Sequence, residues 1–401
     1  MAVGLKPPQF LPPVDGIRLG CARAIKSRSR DDLTAVEIAP GAAVAGVFTR
    51  NLYPAPPVEV CREHLRAGGG NIRGLVINAG IANAGTLGRG LRDARESCKL
   101  FAAILGCRAA EVLPLSTGVI MEYLPMEKYA AGLRSCARRL AADNWLSAAR
   151  AMTTTDTVAK GAYRKVQDGG RVFTVAGIAK GSGMIHPNMG TMLAFVATDA
   201  AVSPRSLAAW QREAAAETFN AVSVDGDTST NDSFILAATG RAGKCRGEAA
   251  RRVRRAVAEV CAELAEAIVR DGEGATKLVV ICARGAKTRA VCRKVAAAVA
   301  ISPLVKTALA AGDANVGRFL MAVGNGGGGF DPRRMRMQIC GLPVIRGGGL
   351  DPHYDEKKTA AALAADEIRI DISLGDGAHS ATMKTCDLTR RYIEINADYR
   401  S

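Results

Sequence analysis

A glycine-rich segment delivers a threonine to the start of an apolar run, and this arrangement can support nucleophilic chemistry. The segment KGSGMIHPNMG occupies residues 180–190, and Thr191 opens the run TMLAFVAT. A threonine hydroxyl becomes a good nucleophile only beside a base. If the bond between Gly190 and Thr191 is cut, Thr191 gains an α-amine, which titrates at about 7.7–8.0 and can take the proton of its own hydroxyl. The flanking glycines permit the bent backbone in which that hydroxyl attacks the preceding carbonyl.

The same residues also have a plainer interpretation. A β-branched residue such as Thr191 at the start of a buried strand is commonly a core residue. Taken singly, Lys180 is typical of a protein surface and Thr117 is typical of a turn. This segment by itself therefore leaves both interpretations open.

Strands and helices alternate along the chain, and they must position this segment. Short apolar runs bounded by Gly or Asn predict strands, and apolar residues at helical spacing predict helices. The predicted strands are 74–78, 171–178, 191–198 and 277–282. The predicted helices are 92–106, 124–140, 253–268 and 289–300. The glycine-rich stretches 180–190, 324–329 and 346–352 are predicted to be loops.

Glu273 lies on a predicted connector between a helix and a strand. Apolar residues at spacings of three and four mark an amphipathic helix over 253–268, which ends at residues 271–274. The next strand resumes at Lys277. Side chains on such connectors often face a ligand, although a solvent-exposed acid at the helix end is the plainer expectation.

The composition is that of a globular protein. The chain has 401 residues, which predicts two domains or two large lobes. Hydrophobic residues make up 48% and charged residues 23%, so disorder is not indicated. Because aromatic residues make up only 4%, the core must be built from Ala, Val, Leu and Ile.

The net charge is strongly positive, at +16. Such a field can attract nucleic acid, an anionic membrane or small anionic substrates. The one dense cluster comprises Arg251, Arg252, Arg254 and Arg255, and no aromatic residues interleave with it as a base-stacking surface requires. We therefore predict a solvated helix face, with neither nucleic acid nor membrane as a partner.

The cysteines and the first residues bear on the compartment. Eleven cysteines occur without any CxxC pair, which favours neither a disulfide framework nor a zinc site. Residues 1–16 lack the apolar core of a signal peptide, and no apolar run reaches the roughly 18 residues that span a bilayer. We expect a reducing cytoplasm.

The segment around Thr191 resembles a known motif. KGSGMIHPNMGTMLAF is similar to the self-cleavage motif of the ornithine acetyltransferase (glutamate N-acetyltransferase) family, typically KGxGMIxPNMATML. Other blocks resemble the family in its order: STGVI at 116–120, TTDT at 154–157, SVDGDTSTND at 223–232, EGATK at 273–277, SPLVKTA at 302–308, CDLT at 386–389 and INADY at 395–399. The resemblance runs from about residue 9 to the end.

The resemblance implies roles for individual residues. Thr191 would be both the self-cleavage residue and the acyl-accepting nucleophile, and Thr117 with Gly118 would form the oxyanion hole. A hydroxyl and a backbone N–H in one turn can converge on one oxygen. The implied substrate contacts are Thr154, Lys180, Thr191, Glu273, Asn396 and Ser401. Lys180 would bind an α-carboxylate and Glu273 the ammonium of ornithine.

The resemblance also implies a fold and a reaction. The fold is α/β, with layered sheets and helices of the self-processing N-terminal-nucleophile-like ornithine acetyltransferase/aminopeptidase type. The chain would cut itself into an alpha fragment, 1–190, and a beta fragment, 191–401, with two copies of each in the assembly. In a ping-pong reaction of arginine biosynthesis, acetyl would pass from N2-acetyl-L-ornithine to Thr191 and then to L-glutamate. No metal or cofactor is implied, and acetyl-CoA is an additional acyl donor in some relatives.

Other functions stay open at this point. A self-processing aminopeptidase or amidase of the same fold would hydrolyse its acyl-enzyme, a relative in another pathway would use another acyl donor, and a non-catalytic basic protein would bind nucleic acid. Three departures from the family pattern bear on substrate preference or local rigidity: Gly190 stands where Ala is usual, residues 78–83 read NAGIAN for NSGNAN, and residues 312–318 read GDANVGR for GDPNWGR.

Overall fold

The computed structural model describes residues 2–186 and 192–398. Gly190, Thr191 and Ser401, which the sequence singles out, lie outside the described residues. The chain divides into two compact units, as its length predicts. The larger unit contains residues 6–220 and 227–268, and the smaller contains 2–5, 221–226 and 269–398.

The larger unit holds two sheets. Its strands are β1 (Ile17–Ala22), β2 (Leu33–Ile38), β3 (Ala43–Phe48), β4 (Gly74–Ile81), β5 (Val112–Val119), β6 (Lys160–Asp168), β7 (Arg171–Lys180), β8 (Leu193–Ala201) and β9 (Ser233–Lys244). A four-stranded sheet has the order β1-β2-β4-β5, and a five-stranded sheet has the order β3-β9-β8-β7-β6. The pairs β4–β5 and β8–β9 are parallel, and β7–β8 is antiparallel.

Six helices pack against these sheets in the described part of the larger unit. They are α1 (Pro56–Gly68), α2 (Leu87–Leu105), α3 (Met126–Arg138), α4 (Trp145–Ala151), α5 (Pro204–Glu217) and α6 (Gly247–Arg270). Helices α2 and α3 share a core with the outer face of the four-stranded sheet. Helix α5 packs on β3 and β9, and α6 approaches β7 at Gly177.

A central core fills the space between the two sheets. It joins apolar residues of β1, β2, β4 and β5 to those of β7, β8 and β9. Trp145 of α4 stacks on Phe195 of β8, with ring centroids 5.5 Å apart. Strands buried on both faces consist of nearly continuous apolar runs, which is why β7 and β8 were recognisable in the sequence. The result is a helix–sheet–sheet–helix layering.

The smaller unit holds one six-stranded sheet. Its elements are β10 (Leu278–Ala286), α7 (Arg289–Ile301), α8 (Pro303–Ala311), α9 (Val316–Asn325), β11 (Arg336–Ile339), β12 (Leu342–Arg346), β13 (Gly349–Leu350), α10 (Glu356–Ala362), β14 (Glu367–Ser373), β15 (His379–Cys386) and α11 (Arg390–Asp398). The strand order is β13-β12-β11-β14-β10-β15. Residues of α7, α8 and α9 share one core with this sheet.

The predicted strands and helices are confirmed, with shifted ends. The strand predicted at 74–78 is β4, and the strand predicted at 191–198 is confirmed from Leu193 onward as β8. The five apolar positions that predicted α6, which are Val253, Val257, Val260, Leu264 and Ile268, are all at most 1% exposed. The α/β class with layered sheets and helices is therefore confirmed.

Two loop predictions are partly wrong. Helix α9 continues through Asn325, so the predicted loop 324–329 begins inside a helix. Ala322 and Val323 anchor that turn in the core, and glycine costs a helix only about 1 kcal/mol, so packing overrides the local preference. The predicted loop 346–352 contains β13, which pairs with β12 in a hairpin.

The arginine cluster lies on α6, and three of its members are paired with acids. Arg251 contacts Glu248, Arg252 contacts Asp168, and Arg254 contacts Glu213. Arg251, Arg254 and Arg255 are exposed, which confirms the predicted solvated helix face.

All eleven cysteines are free thiols. Among the residues that the structure describes, no single helix is long and apolar enough to cross a membrane. One bent pair, 289–301 with 303–311, meets that criterion by length and composition alone.

Candidate active site

Thr117 and Gly118 lie near the end of β5, where its pairing with β4 becomes irregular. The register shifts between Gly80 and Ile81, which brings the two backbones unusually close. Gly118 has a φ of 130°, and a Cβ at this position would lie 2.2 Å from the carbonyl carbon of Gly80. Only glycine can occupy this position. Thr117 beside it is buried.

Lys180 is the last residue of β7 and is buried rather than at the surface. Its Nζ donates a hydrogen bond to Thr117 Oγ1 at 3.3 Å. A hydroxyl that accepts from an ammonium is polarised and becomes a stronger donor itself. The two residues that resemblance assigned to the oxyanion hole and to substrate binding are therefore in direct contact.

Asp156 supplies negative charge beside Lys180. Its side chain is fully buried, and Oδ2 lies 4.0 Å from Lys180 Nζ. Oδ1 accepts from Lys160 Nζ at 2.6 Å and from the Gly181 N–H at 2.7 Å. Burial opposes ionisation, but the two lysines and the Gly181 N–H outweigh it and hold the pKa of Asp156 well below its ordinary value. The carboxylate is therefore charged at neutral pH.

The loop that carries Asp156 is tied to the residues after β7. Thr154, a predicted substrate contact, is half-buried and donates its N–H to Asp156 Oδ2 at 3.0 Å. Thr155 Oγ1 and Ser182 Oγ are 2.7 Å apart. Asp156 thus links Thr154 to the start of the glycine-rich segment.

Asp232 holds the chain on the other side of that segment. The Met192 N–H donates to Asp232 Oδ1 at 3.1 Å, and the Ser233 N–H donates to the Met192 carbonyl at 3.1 Å. Asp232 is fully buried. Burial raises its pKa well above the ordinary value, and the Met192 N–H, Thr49 and Lys180 offset only part of that rise.

Asn231 fixes the oxyanion candidates relative to β9. Its Nδ2 donates to the Ala82 carbonyl at 2.6 Å and to the Ser116 carbonyl at 2.9 Å. Ser116 Oγ in turn donates to Asn78 Oδ1 at 2.6 Å. One amide therefore ties the ends of β4 and β5 to the residues just before β9.

In the smaller unit, Asn396 and Glu273 are in contact. Asn396 Nδ2 donates to Glu273 Oε2 at 2.9 Å and to the Tyr392 carbonyl at 3.0 Å. Glu273 lies on the connector between α6 and β10, as predicted, but it is only 9% exposed and is not a solvated acid. The backbone of Tyr392 lies so close to Gly274 that a Cβ there would meet its nitrogen at 2.4 Å.

The predicted site residues thus fall into two groups. Thr117, Gly118, Thr154 and Lys180 belong to the larger unit and are joined through Asp156 and the β5 end, whereas Glu273 and Asn396 belong to the smaller unit. Thr191, Gly190 and Ser401 lie outside the described residues.

Sequence reasoning missed Asp156, Lys160, Asn231 and Asp232 as site residues. All but Lys160 lie inside blocks that resembled the family. Two further signals were available: Asp156 precedes Lys160 by four residues, and Asp232 directly precedes an apolar strand.

Three solved structures are similar to parts of this chain. The crystal structure of the arginine biosynthesis bifunctional protein ArgJ from Bacillus halodurans is 35% identical over 51% of this chain and 98% of that chain, with a TM-score of 0.49. Ornithine acetyltransferase complexed with ornithine, from Mycobacterium tuberculosis, is 34% identical over 44% of this chain and 92% of that chain, with a TM-score of 0.38. L-aminopeptidase D-Ala-esterase/amidase from Ochrobactrum anthropi is 14% identical over 68% of this chain and 90% of that chain, with a TM-score of 0.39.

A family model, that of the ArgJ family, matches residues 18–401. This match spans the two described groups of site residues and the glycine-rich segment between β7 and β8. The chain belongs to the ArgJ family, an acyltransferase family of arginine biosynthesis.

Proposed function

We propose that this chain is a glutamate N-acetyltransferase that cleaves itself between Gly190 and Thr191 and moves acetyl from N2-acetyl-L-ornithine to L-glutamate. The observation that carries the proposal is the buried contact between Lys180 and Thr117, beside a position that only glycine can occupy. Lys180 ends β7, and β8 follows directly after the segment that contains Thr191. The residues at both ends of this segment therefore contact charged or polar groups, Lys180 with Thr117 and Met192 with Asp232.

Self-cleavage is an acyl shift followed by hydrolysis. The Thr191 hydroxyl attacks the Gly190 carbonyl, the C–N bond breaks, and an ester replaces the amide. Water then hydrolyses the ester, leaving a carboxylate on Gly190 and both a hydroxyl and an α-amine on Thr191. Strands β7 and β8 pair from Val175 with Thr198 to Lys180 with Leu193, so the fragments 1–190 and 191–401 stay joined in one sheet.

Acetyl transfer then uses the new α-amine as the base. It takes the proton of the Thr191 hydroxyl, which attacks the acetyl carbon of N2-acetylornithine. The oxyanion accepts hydrogen bonds from Thr117 Oγ1 and the Gly118 N–H, the α-ammonium passes its proton to the leaving nitrogen, and ornithine leaves as a free amine. The amine of glutamate attacks acetyl-Thr191 and carries the acetyl group away.

The remaining predicted residues select the substrate. Thr154 and Lys180 contact the substrate, with the Lys180 ammonium binding its α-carboxylate. Glu273, oriented by Asn396, binds the δ-ammonium of the ornithine moiety, and Ser401 also contacts the substrate. The proposal includes a cytoplasmic assembly of two copies of each fragment, without metal or cofactor, and acetyl-CoA as an additional acyl donor.

Intact mass spectrometry tests the proposal. The purified wild-type chain should appear as the fragments 1–190 and 191–401, and Thr191→Ala should stay one uncut chain. After incubation with N2-acetylornithine, fragment 191–401 should carry one acetyl group, which glutamate then removes as N-acetylglutamate. An uncut but active wild-type chain contradicts the proposal, and acetate release that is independent of glutamate identifies a hydrolase instead.

A further inference from the structure

One carboxyl oxygen beside the cleavage segment has no hydrogen-bond partner among the residues that the structure describes. Asp232 is fully buried, and its Oδ1 accepts from the Met192 N–H at 3.1 Å. Its Oδ2 is also buried, and within residues 2–186 and 192–398 no group forms a hydrogen bond with it. Buried polar atoms are nearly always paired, so an unpaired carboxyl oxygen at this position calls for a functional explanation.

Two hydroxyls neighbour Asp232, and both lower its pKa without overcoming the effect of burial. Thr49 Oγ1 donates to the Ser229 carbonyl at 2.6 Å, and Ser229 Oγ accepts from the Asn231 N–H at 3.0 Å. The contrast with Asp156 is clear, since that carboxylate accepts three hydrogen bonds, two from backbone N–H groups and one from a lysine. Asp156 is built to be charged, whereas Asp232 is not.

Burial therefore favours the protonated form of Asp232. Burial raises its pKa well above the ordinary value, and the Met192 N–H and the nearby hydroxyls offset only part of this rise. Among the described residues, the charged group that acts on Asp232 is Lys180, at the end of β7. Its attraction lowers the pKa of Asp232 but does not outweigh burial. A neutral carboxyl has one O–H to donate.

The position of this acid is fixed relative to the proposed cleavage point. Met192 N is bonded to the carbonyl carbon of Thr191, and three covalent bonds keep the nitrogen of Thr191 within roughly 3.7 Å of Met192 N. The Met192 carbonyl is held by the Ser233 N–H, so Met192 cannot move away from Asp232 independently. The nitrogen that must leave when the chain is cut therefore lies within about 7 Å of Asp232 Oδ1.

We propose that Asp232 is the general acid of self-cleavage, which protonates the nitrogen of Thr191 as its bond to Gly190 breaks. This inference rests on the proposed function. The amide nitrogen starts with one hydrogen, the Thr191 hydroxyl supplies a second, and Asp232 supplies a third. The products are the ester, an α-ammonium on Thr191 and a carboxylate on Asp232, so that charge and protons balance. The ammonium must then release a proton to become the amine base that acetyl transfer uses.

The cleavage rate of freshly translated chain, followed by denaturing gel, tests this role. Asp232→Asn keeps the oxygen that accepts from Met192 but removes the acidic proton, and it should slow cleavage by a factor of roughly 100 or more. The wild-type rate should fall as the pH rises through the pKa of Asp232, because only the protonated acid acts. Asp232→Asn should lack that fall.

Asp199→Asn is the matched control. Asp199 lies on β8, is buried, has a pKa raised by burial, and accepts from the Thr174 N–H at 2.8 Å. This variant should be cut at the wild-type rate. The inference is overturned if Asp232→Asn is cut at the rate of the wild-type chain and with the same pH profile. If that variant does not fold, the inference is overturned when the cleavage rate of the wild-type chain itself does not fall at high pH. An uncut wild-type chain instead overturns the proposed function.

Discussion

Lys180 Nζ donates a hydrogen bond to Thr117 Oγ1, joining two residues that are 63 positions apart in the sequence. Lys180 ends a strand of the five-stranded sheet, and Thr117 lies near the end of a strand of the four-stranded sheet. The contact fixes the orientation of the threonine hydroxyl. Because its oxygen accepts from Lys180, its proton is left for another acceptor, as an oxyanion hole requires.

Thr117→Ala should therefore slow acyl transfer far more than it weakens substrate binding. Loss of one oxyanion donor typically costs a factor of about 10²–10³ in rate, and we expect kcat to fall by that amount while KM changes little. Steady-state kinetics with N2-acetylornithine and glutamate measures both. Thr117→Ser keeps the hydroxyl and should retain most of the activity. An unchanged kcat in Thr117→Ala removes this residue from the oxyanion hole.

Gly118→Ala should destabilise the larger unit and abolish transfer. The added methyl would lie 2.2 Å from the carbonyl carbon of Gly80 and 2.5 Å from the nitrogen of Ile81, so the ends of β4 and β5 must separate. Together with the positive φ, this should cost roughly 2–5 kcal/mol of unfolding free energy.

Gly106→Ala is the control for backbone strain alone. Gly106 also has a positive φ, 65°, but no atom lies within 4 Å of an added Cβ. Urea unfolding should show a loss of about 1 kcal/mol for this variant. Equal losses of unfolding free energy in Gly118→Ala and Gly106→Ala would show that the close approach of β4 and β5 does not set the cost of a side chain at Gly118.

The elements were predictable because their signals are local. The apolar run of β4 and the spacing of Val253 and Val257 depend on which face of one element is buried, and the sequence displays that directly. The end of α9 was not predictable in this way. Its glycine and asparagine favour a loop locally, and only the packing of Ala322 and Val323 against the sheet carries the helix on to Asn325.

The site was predictable only through resemblance, and then incompletely. Nothing local in the sequence distinguishes buried Lys180 from a surface lysine, because its partners Thr117 and Asp156 come from other parts of the chain. The same holds for Asp232, whose pKa is raised by burial against the opposing effect of the Met192 N–H. Charge state is a property of packing, which composition and spacing do not report.

Asp156→Asn should lower the free energy of unfolding at neutral pH and make that free energy less sensitive to acid. The substitution leaves Lys160 and Lys180 buried without their carboxylate, and breaking such a pair typically costs about 3–5 kcal/mol. The pKa of Asp156 is lower in the folded chain than the ordinary value of about 3.9. The Asp156 carboxylate therefore makes its full contribution to the free energy of unfolding above about pH 3.9. That contribution is lost as the pH falls from there toward the pKa of Asp156 in the folded chain.

Urea unfolding at pH 7 and at several values between pH 5 and 3 measures both effects. The wild-type chain should lose stability over the acid range, and Asp156→Asn should lose less over the same range. Asp376→Asn is the control, because Asp376 forms an exposed ion pair with Arg334 and should change stability little. A wild-type stability for Asp156→Asn at pH 7 would show that this carboxylate does not balance the two lysines.

Glu273→Gln should weaken the binding of N2-acetylornithine and leave glutamate unaffected. Glutamine keeps an oxygen for Asn396 Nδ2 but removes the negative charge that faces the proposed δ-ammonium. A hydrogen bond to a charged group contributes about 1.5–3 kcal/mol, so the KM for N2-acetylornithine should rise roughly 10- to 150-fold. Glutamate has no side-chain ammonium, and its KM should stay the same.

Glu394→Gln removes an exposed acid of the same helix as Asn396 and should change neither constant. Equal increases in both KM values for Glu273→Gln would indicate a structural role for the Glu273–Asn396 contact, and no increase in either would exclude Glu273 as the ornithine partner.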